Sequence, residues 1–183
     1  MINLLFDNPK SDQNPFVDSE FYTHSYKFIN IYELHIILEI GSENGIFTSF
    51  FSDALLHNQN SYLHYLNPSG YIFRTFLSTI KKSRNPYKIR FFTLKPSYFF
   101  DRYKFICNKR YTLIYVNVES YGNNQETLFY DLQNIYTLLE LHGLLWITNS
   151  HNTEVQKFLS LFKYYFDTVH HNKEIGLKRI ELK

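Results

Sequence analysis

Short apolar runs alternate with amphipathic segments along most of this 183-residue chain, and this alternation constrains the fold more than any other feature. The run LHIILEI, for example, is continuously apolar, as expected of a strand that is buried on both faces of a sheet. The segments between such runs carry apolar residues at helical spacing. The predicted strands are 34–40, 61–66, 87–94, 111–118 and 144–148, and the predicted helices are 46–57, 71–82, 97–106, 124–142 and 152–165.

This alternation predicts an α/β fold with an open, mostly parallel sheet and helices on both faces, which makes three layers. The last two runs, FDTVHH and GLKRIEL, flank NKEI and are predicted to form a C-terminal antiparallel strand pair. Residues 1–30 are polar and aromatic, and we interpret them as an N-terminal arm with a short helix near 20–29. No internal repeat or linker follows, so residues 31–183 are expected to form one domain.

Charge, cysteine content and hydropathy exclude several classes of function. The formal charge of +2 is too small to indicate nucleic-acid binding. The single cysteine, Cys107, excludes a disulfide within the chain and a cysteine-rich zinc site, and it fits a reducing compartment. No basic and apolar leader is recognisable, and no apolar run approaches the roughly 20 residues of a membrane span. We therefore expect a cytoplasmic protein with no membrane partner.

The first predicted strand ends in ILEIGSENG, where two glycines enclose a polar turn. Ligands of open α/β sheets bind beyond the carboxyl ends of the strands, and glycine lets a ligand approach the backbone closely. A dinucleotide-binding loop would need glycine at positions 43 and 46, which are Glu43 and Ile46. No Gly-Lys-Ser/Thr phosphate loop occurs either, so an unrelated nucleotide binder on the same α/β plan is the least favoured interpretation.

The pattern of ILEIGSENG, apolar-apolar-Glu-apolar-Gly-Ser-x-x-Gly, resembles the first motif of class I S-adenosylmethionine-dependent methyltransferases. The segment LIYVNVESYGNNQETLFYDLQNIYTLLELHGLLWITNSHN resembles the fourth strand, long helix and fifth strand of the branch that modifies small molecules and sugars. The similarity covers about residues 34–182. It implies a Rossmann-like sheet, S-adenosylmethionine as the cofactor, and methyl transfer to an oxygen or nitrogen acceptor whose identity is unknown.

The resemblance also implies a set of cofactor-binding residues, two of which, Asn67 and Asn117, stand where the family usually has an acid. The second strand of the family normally ends in an acid that holds both ribose hydroxyls, and the residue here is Asn67. Loss of a charge-assisted hydrogen bond typically costs about 1.5–3 kcal/mol, so cofactor binding is expected to be weakened or lost. The implied cofactor-binding residues are Glu39, Gly41, Ser42, Gly45, Asn67 and Asn117.

Metal-using members of this branch bind a divalent cation through acids after the fourth and fifth strands. The corresponding residues here are Asn117 and Asn149, which bring no charge, so no metal site is expected. Glu119 and His151 are the nearby residues that would have to compensate. His151 is also a candidate general base, with a solvated loop residue as the alternative. Tyr121 either stacks on the substrate or covers the core.

Two function classes therefore stay open. One is methyl transfer, and the other is a catalytically inactive methyltransferase-like protein that serves as a binding or assembly subunit. The chain has no insertion large enough for a substrate cap, so a cap would have to come from the first 30 residues or from a second subunit. Either class therefore allows a homo- or hetero-oligomer. Structural roles are expected for the histidines His35, His170 and His171. A solvated surface, in preference to a nucleic-acid groove, is expected for Lys81, Lys82, Arg84, Lys88 and Arg90.

Overall fold

The computed structural model describes residues 36–41, 45–55, 60–68, 77, 81, 83, 85–106 and 110–181. The strands are β1 Ile36–Ile40, β2 Tyr62–Leu66, β3 Ile89–Phe92, β4 Tyr111–Val116, β5 Leu139–Ile147, β6 Phe166–His171 and β7 Ile175–Arg179. The helices are α1 Ile46–Ala54, α2 Pro96–Ile106, α3 Gln125–Leu138 and α4 Thr153–Phe162. Leu77 and Lys81 are helical. The rest of the predicted helix 71–82 lies outside the described residues, as do the predicted N-terminal arm, His35 and Cys107.

The strands form one sheet in the order β3-β2-β1-β4-β5-β7-β6. The pairs from β3 to β5 are parallel, and β7 runs antiparallel to both β5 and β6. The mostly parallel sheet with a C-terminal antiparallel pair is therefore confirmed. The chain winds outward from β1 to β3 and then crosses back to β4, so the direction of winding changes between β1 and β4. The carboxyl ends of these two strands form the switch point, where ligands of open α/β sheets bind.

Helices cover both faces of the sheet. On one face, Ile114 and Val116 of β4 belong to a buried cluster that includes side chains of α2, α3 and α4. Tyr115 points to the opposite face because side chains alternate along a strand. There its ring lies 4.8 Å from the ring of Phe47 and 6.0 Å from that of Phe51, both in α1. The three-layer α/β architecture is confirmed.

The α3 helix shows how spacing in the sequence becomes packing. Leu128, Leu132 and Ile135 recur at intervals of three or four residues and are fully buried against the sheet. Burial of each such side chain contributes roughly 1.5–3 kcal/mol relative to an exposed position. This face of α3 therefore fixes the helix that follows the candidate site.

The prediction that the long helix continues to residue 142 and ends at a C-cap glycine is wrong. The helix ends at Leu138, and Leu139 is already extended, with ψ 134°. Leu139 pairs with Tyr111 of β4, so sheet pairing overrides the helical periodicity. Gly143 lies within β5, where a Cβ atom would come within 2.9 Å of the Glu140 carbonyl oxygen.

The other differences are confined to element ends. The predicted strand 111–118 stops at Val116, and Val118–Tyr121 forms a short 3-10 turn. The predicted strand 87–94 is reduced to Ile89–Phe92. In the part of the chain that the structure describes, no helix has the length and apolarity to cross a membrane.

Candidate functional site

The ends of β1, β2 and β4 are tied together at Gly41. Its backbone N–H donates to the Leu66 carbonyl at 2.9 Å, and the Asn117 N–H donates to the Ile40 carbonyl at 2.9 Å. Gly41 has φ +82°, a conformation that is unfavourable for residues with a side chain. The polar turn predicted after the first strand therefore begins at the switch point of the sheet, where the resemblance places the cofactor.

The turn after β4 approaches Gly41 very closely. A Cβ atom at position 41 would lie 1.8 Å from Oγ and 2.4 Å from Cβ of Ser120. The Ser120 hydroxyl donates to the Asn117 carbonyl oxygen at 2.6 Å, which holds it in place. Glycine is therefore required at position 41 by contact within the protein, whether or not a ligand binds there.

The first half of that turn is organised by Thr148, at the end of β5. The Thr148 hydroxyl accepts the Val118 N–H at 2.9 Å and donates to Oε2 of Glu119 at 2.8 Å. The Asn117 side-chain oxygen lies 3.3 Å from the same hydroxyl and accepts the Glu119 N–H at 3.2 Å. This arrangement holds the carboxylate of Glu119, an exposed residue, at the edge of the sheet where the switch point lies.

The second half of the turn is anchored in the core. Tyr121 is only 2% exposed, and its hydroxyl donates to Oδ2 of the fully buried Asp131 at 3.0 Å. Burial raises the pKa of Asp131 to about 7, although the Tyr121 hydrogen bond lowers it. Burial and the neighbouring Asp131 also raise the pKa of Tyr121 above its ordinary range. Of the two interpretations of Tyr121, the structure places the ring in the core.

Carboxylates surround the end of β4 on the side of α1. Glu39 is fully buried in β1, in register with Tyr65 of β2 and Tyr115 of β4. Burial raises the pKa of Tyr115 well above its ordinary value, and the charges of Glu174, Glu39 and Glu119 raise it further. The carboxylates of Glu39, Glu119 and Glu174 therefore lie close enough to Tyr115 for their charges to act on it.

The remaining predicted cofactor residues lie at the same end of the sheet. Gly45 has φ +69° and leads into α1, and its carbonyl oxygen accepts the N–H of Ser49 at 3.0 Å and the Ser49 hydroxyl at 2.7 Å. Asn67 follows β2 directly, is half-buried, and donates through Nδ2 to the Tyr65 hydroxyl at 3.3 Å. Ser42 lies outside the described residues.

The loop after β5 places its polar residues differently from the expectation. Thr148 meets Asn117, whereas Asn149, with φ +49°, is exposed one residue further on. The residue after β4 that the resemblance compares with a metal-ligating acid is therefore in contact with Thr148. His151 is exposed in the following turn. Among the residues that the structure describes, no group of three or more His, Cys, Asp or Glu side chains could hold a metal ion.

His170, His171 and Arg90 lie outside the candidate site, on strands of the sheet. The His170 ring stacks on Trp146 at 5.1 Å with an interplanar angle of 12°, and His171 is exposed on the edge strand β6. Arg90 is exposed on β3, with its guanidinium 5.2 Å from the centre of the Tyr62 ring.

Thr148, Ser120 and Asp131 are the residues of the site that sequence reasoning missed. Each acts through a partner that is distant in the chain or lies on another element, so no local pattern marks them. In the parallel register of β4 and β5, Val116 is paired with Ile147, so the residues that follow them, 117 and 148, lie side by side. The sequence does not give that register.

Several solved structures with the same fold are described as methyltransferases. The O-methyltransferase TomG from Streptomyces achromogenes, solved in complex with SAM, aligns with a TM-score of 0.69 at 10% identity, over 96% of this chain and 84% of that one. A protein described as a caffeoyl-CoA O-methyltransferase from Staphylococcus aureus aligns with a TM-score of 0.68 at 15% identity, over 91% and 86% of the two chains. The N-methyltransferase NodS from Bradyrhizobium japonicum aligns with a TM-score of 0.55 at 14% identity, over 90% and 99%.

These similarities establish the fold. The chain has the architecture of class I S-adenosylmethionine-dependent methyltransferases, as the sequence resemblance implied. No protein-family model and no curated protein sequence matches the chain.

Proposed function

We propose that this protein transfers a methyl group from S-adenosylmethionine to an oxygen or nitrogen acceptor. The observation that carries the proposal is the position of Gly41, at φ +82°, between the carboxyl ends of β1 and β4 at the switch point of this sheet. The O-methyltransferase TomG, which shares the fold, was solved with SAM bound. The carboxylates near Tyr115 support the choice of a ligand with a sulfonium and an ammonium group.

The polar and acidic residues at this edge of the sheet support the choice of this cofactor. The backbone at Gly41 and Gly45 would lie against the cofactor, and Asn67 would hydrogen bond to its ribose. Asn117 and the carboxylate of Glu119 would face its cationic part. When bound, S-adenosylmethionine supplies an electrophilic methyl group. Ser42, which the resemblance also assigns to the site, completes the proposed set.

The chain itself would contribute mainly orientation. Such a site works by holding the acceptor in line with the methyl group, which removes much of the entropic barrier to the reaction. The acceptor heteroatom would take the methyl group as the carbon–sulfur bond breaks, S-adenosylhomocysteine would be the other product, and the acceptor would lose a proton. Glu119, held by Thr148 at 2.8 Å, and the exposed His151 are the groups at this edge of the sheet that would take it.

A second candidate function is favoured by the contact between Ser120 and Gly41. A non-catalytic binding or assembly subunit would retain the fold without a selected cofactor site. The contact of Ser120 with Gly41, and Asn67 in the place of an acid that holds the ribose, fit such a subunit. In that case the chain would act through partners, as a homo- or hetero-oligomer, and the neutral asparagines would reflect lost selection.

Calorimetric titration with S-adenosylmethionine and S-adenosylhomocysteine separates the two candidates. The wild-type chain is expected to bind both, and Asn67→Asp is expected to bind roughly 10 to 100 times more tightly, because a carboxylate restores a charge-assisted hydrogen bond to the ribose. Asn60→Asp is the matched control, since it makes the same charge change at the opposite end of β2 and should bind like the wild type. Absence of binding at millimolar concentration in all three proteins rejects methyl transfer.

A further inference from the structure

Asn67 follows β2 directly and lies on the same side of the sheet as the tyrosine two positions before it. Because side chains alternate along a strand, Tyr65 and Asn67 share one face, and Leu66 points to the other, into the buried cluster with α2, α3 and α4. The next residue, Pro68, disfavours a helical backbone at Asn67, so the chain stays extended there. The Asn67 side chain therefore lies just beyond that of Tyr65, at the carboxyl edge of the sheet.

The hydroxyl of Tyr65 is a fixed partner for the Asn67 amide. Tyr65 is fully buried, in register with Glu39 on one side and Phe91 on the other. Its ring lies 5.4 Å from that of Phe91, at an interplanar angle of 56°. Asn67 is half-buried, and its Nδ2 donates to the Tyr65 hydroxyl at 3.3 Å. A packed ring thus holds one end of an amide that lies at the surface of the candidate site.

The direction of this hydrogen bond decides which atom of the Asn67 amide is turned away from the core. Nitrogen and oxygen occupy the two branches of an amide, and only the nitrogen carries hydrogens. Because Nδ2 is directed at Tyr65, Oδ1 is directed away from it. An amide oxygen has two lone pairs, so it is able to accept from both hydroxyls of a ribose. An oriented asparagine therefore offers the acceptor of a carboxylate without its charge.

We propose that Tyr65 is a positioning residue for the cofactor ribose: its hydroxyl holds Nδ2 of Asn67, so that Oδ1 accepts from the ribose hydroxyls. The inference rests on the proposed function, which supplies the ligand. Tyr65 acts only through Asn67. Without the Tyr65 hydroxyl, the bound amide would leave Nδ2 against an apolar ring or turn it toward the ribose. Either arrangement loses a hydrogen bond that the wild-type complex keeps, so the complex becomes weaker.

The test is a double-mutant cycle on positions 65 and 67 of the full chain, with S-adenosylhomocysteine affinity measured by calorimetry. Tyr65→Phe keeps the buried ring and is expected to bind on the order of tenfold more weakly than the wild type. In the Asn67→Asp background the same change should alter the affinity by about twofold at most, because both oxygens of a carboxylate accept and no orientation is lost. Tyr62→Phe is the matched control, since it removes a hydroxyl from the opposite face of the same strand and should bind like the wild type.

Two further readouts separate positioning from a general loss of stability. The wild type should bind S-adenosylhomocysteine more tightly than its 2′-deoxy analogue, and Tyr65→Phe should narrow this ratio, whereas a loosened fold would weaken both ligands alike. In proton–nitrogen NMR spectra, the side-chain amide signals of Asn67 are identified by their loss in Asn67→Asp. These signals should shift in Tyr65→Phe and stay in place in Tyr62→Phe.

The outcomes distinguish this inference from the proposed function. Equal effects of Tyr65→Phe in both backgrounds, an unchanged ribose ratio or unmoved Asn67 amide signals overturn the positioning role while methyl transfer stands. Absence of S-adenosylhomocysteine binding in every protein overturns both.

Discussion

Gly41→Ala is expected to destabilise the protein through a contact made far along the chain. The substitution places a side chain at φ +82°, which costs about 1–2 kcal/mol. It also pushes Ser120 away, which breaks the hydrogen bond to the Asn117 carbonyl and costs about 1 kcal/mol more. The sum is roughly 2–3 kcal/mol, a large fraction of the 5–15 kcal/mol that stabilises a typical domain.

A double-mutant cycle separates these two contributions. Ser120→Gly removes both atoms that a Cβ at position 41 would strike, leaving the Asn117 carbonyl oxygen at 3.2 Å as the next neighbour. In this background Gly41→Ala should cost only the backbone strain, about 1–2 kcal/mol. Gly122→Ala is the control for strain alone, because that residue has φ +52° in open space.

Urea unfolding followed by tryptophan fluorescence measures all of these variants. The chain has one tryptophan, and Trp146 is fully buried, so its emission reports loss of the core. Additive effects of Gly41→Ala and Ser120→Gly, within about 0.5 kcal/mol, would refute the contact. The result also bears on function, because cofactor affinity lost in Gly41→Ala is then no sign of a lost ligand contact.

Three further predictions concern buried groups. The pKa of Asp131 is raised from 3.8 to about 7, so the contribution of Asp131 to stability should fall by on the order of 4 kcal/mol as pH rises from about 4 to 7, and the free energy of unfolding of Asp131→Asn relative to the wild type should rise by that amount over the same range. His64 has its pKa lowered to about 3, chiefly by burial, so its contribution is lost as pH falls below 6.5, and His64→Gln should flatten the acid side of the same profile. Gly176→Ala would place a Cβ 2.7 Å from the Trp146 ring, so we expect a loss of about 1–3 kcal/mol and an altered tryptophan emission spectrum, whereas an unchanged urea midpoint would contradict this packing.

The order and type of the elements could be predicted because each strand is marked by a short apolar run in the local sequence. The runs at 111–118 and 144–148 are apolar over a strand's length, and the helix between them carries its apolar residues on one face. Pairing between distant strands has no such local signal. Leu139 continues the helical spacing of α3, yet it is extended because Tyr111 of β4 offers it a partner.

For the candidate site, the residues at the strand ends could be predicted from the sequence, but the contacts of the turn after β4 could not. The ends of β1, β2 and β4 bring Gly41, Asn67 and Asn117 to one edge, as strand ends of a parallel sheet must. The contact between Ser120 and Gly41 depends on the path of a short turn in three dimensions. Neither residue type nor spacing encodes that path.

Asn117, which follows β4, and Glu119, two positions later, both contact the hydroxyl of Thr148. Asn117 Oδ1 and Glu119 Oε2 lie 3.3 and 2.8 Å from the Thr148 hydroxyl, which has one hydrogen to donate. A carboxylate at 117 would stand beside that of Glu119 across this single group, and the two like charges would repel each other. Asparagine at 117 therefore avoids this repulsion. The acid at this edge, Glu119, thus lies in the turn Val118–Tyr121 and not at the end of the strand.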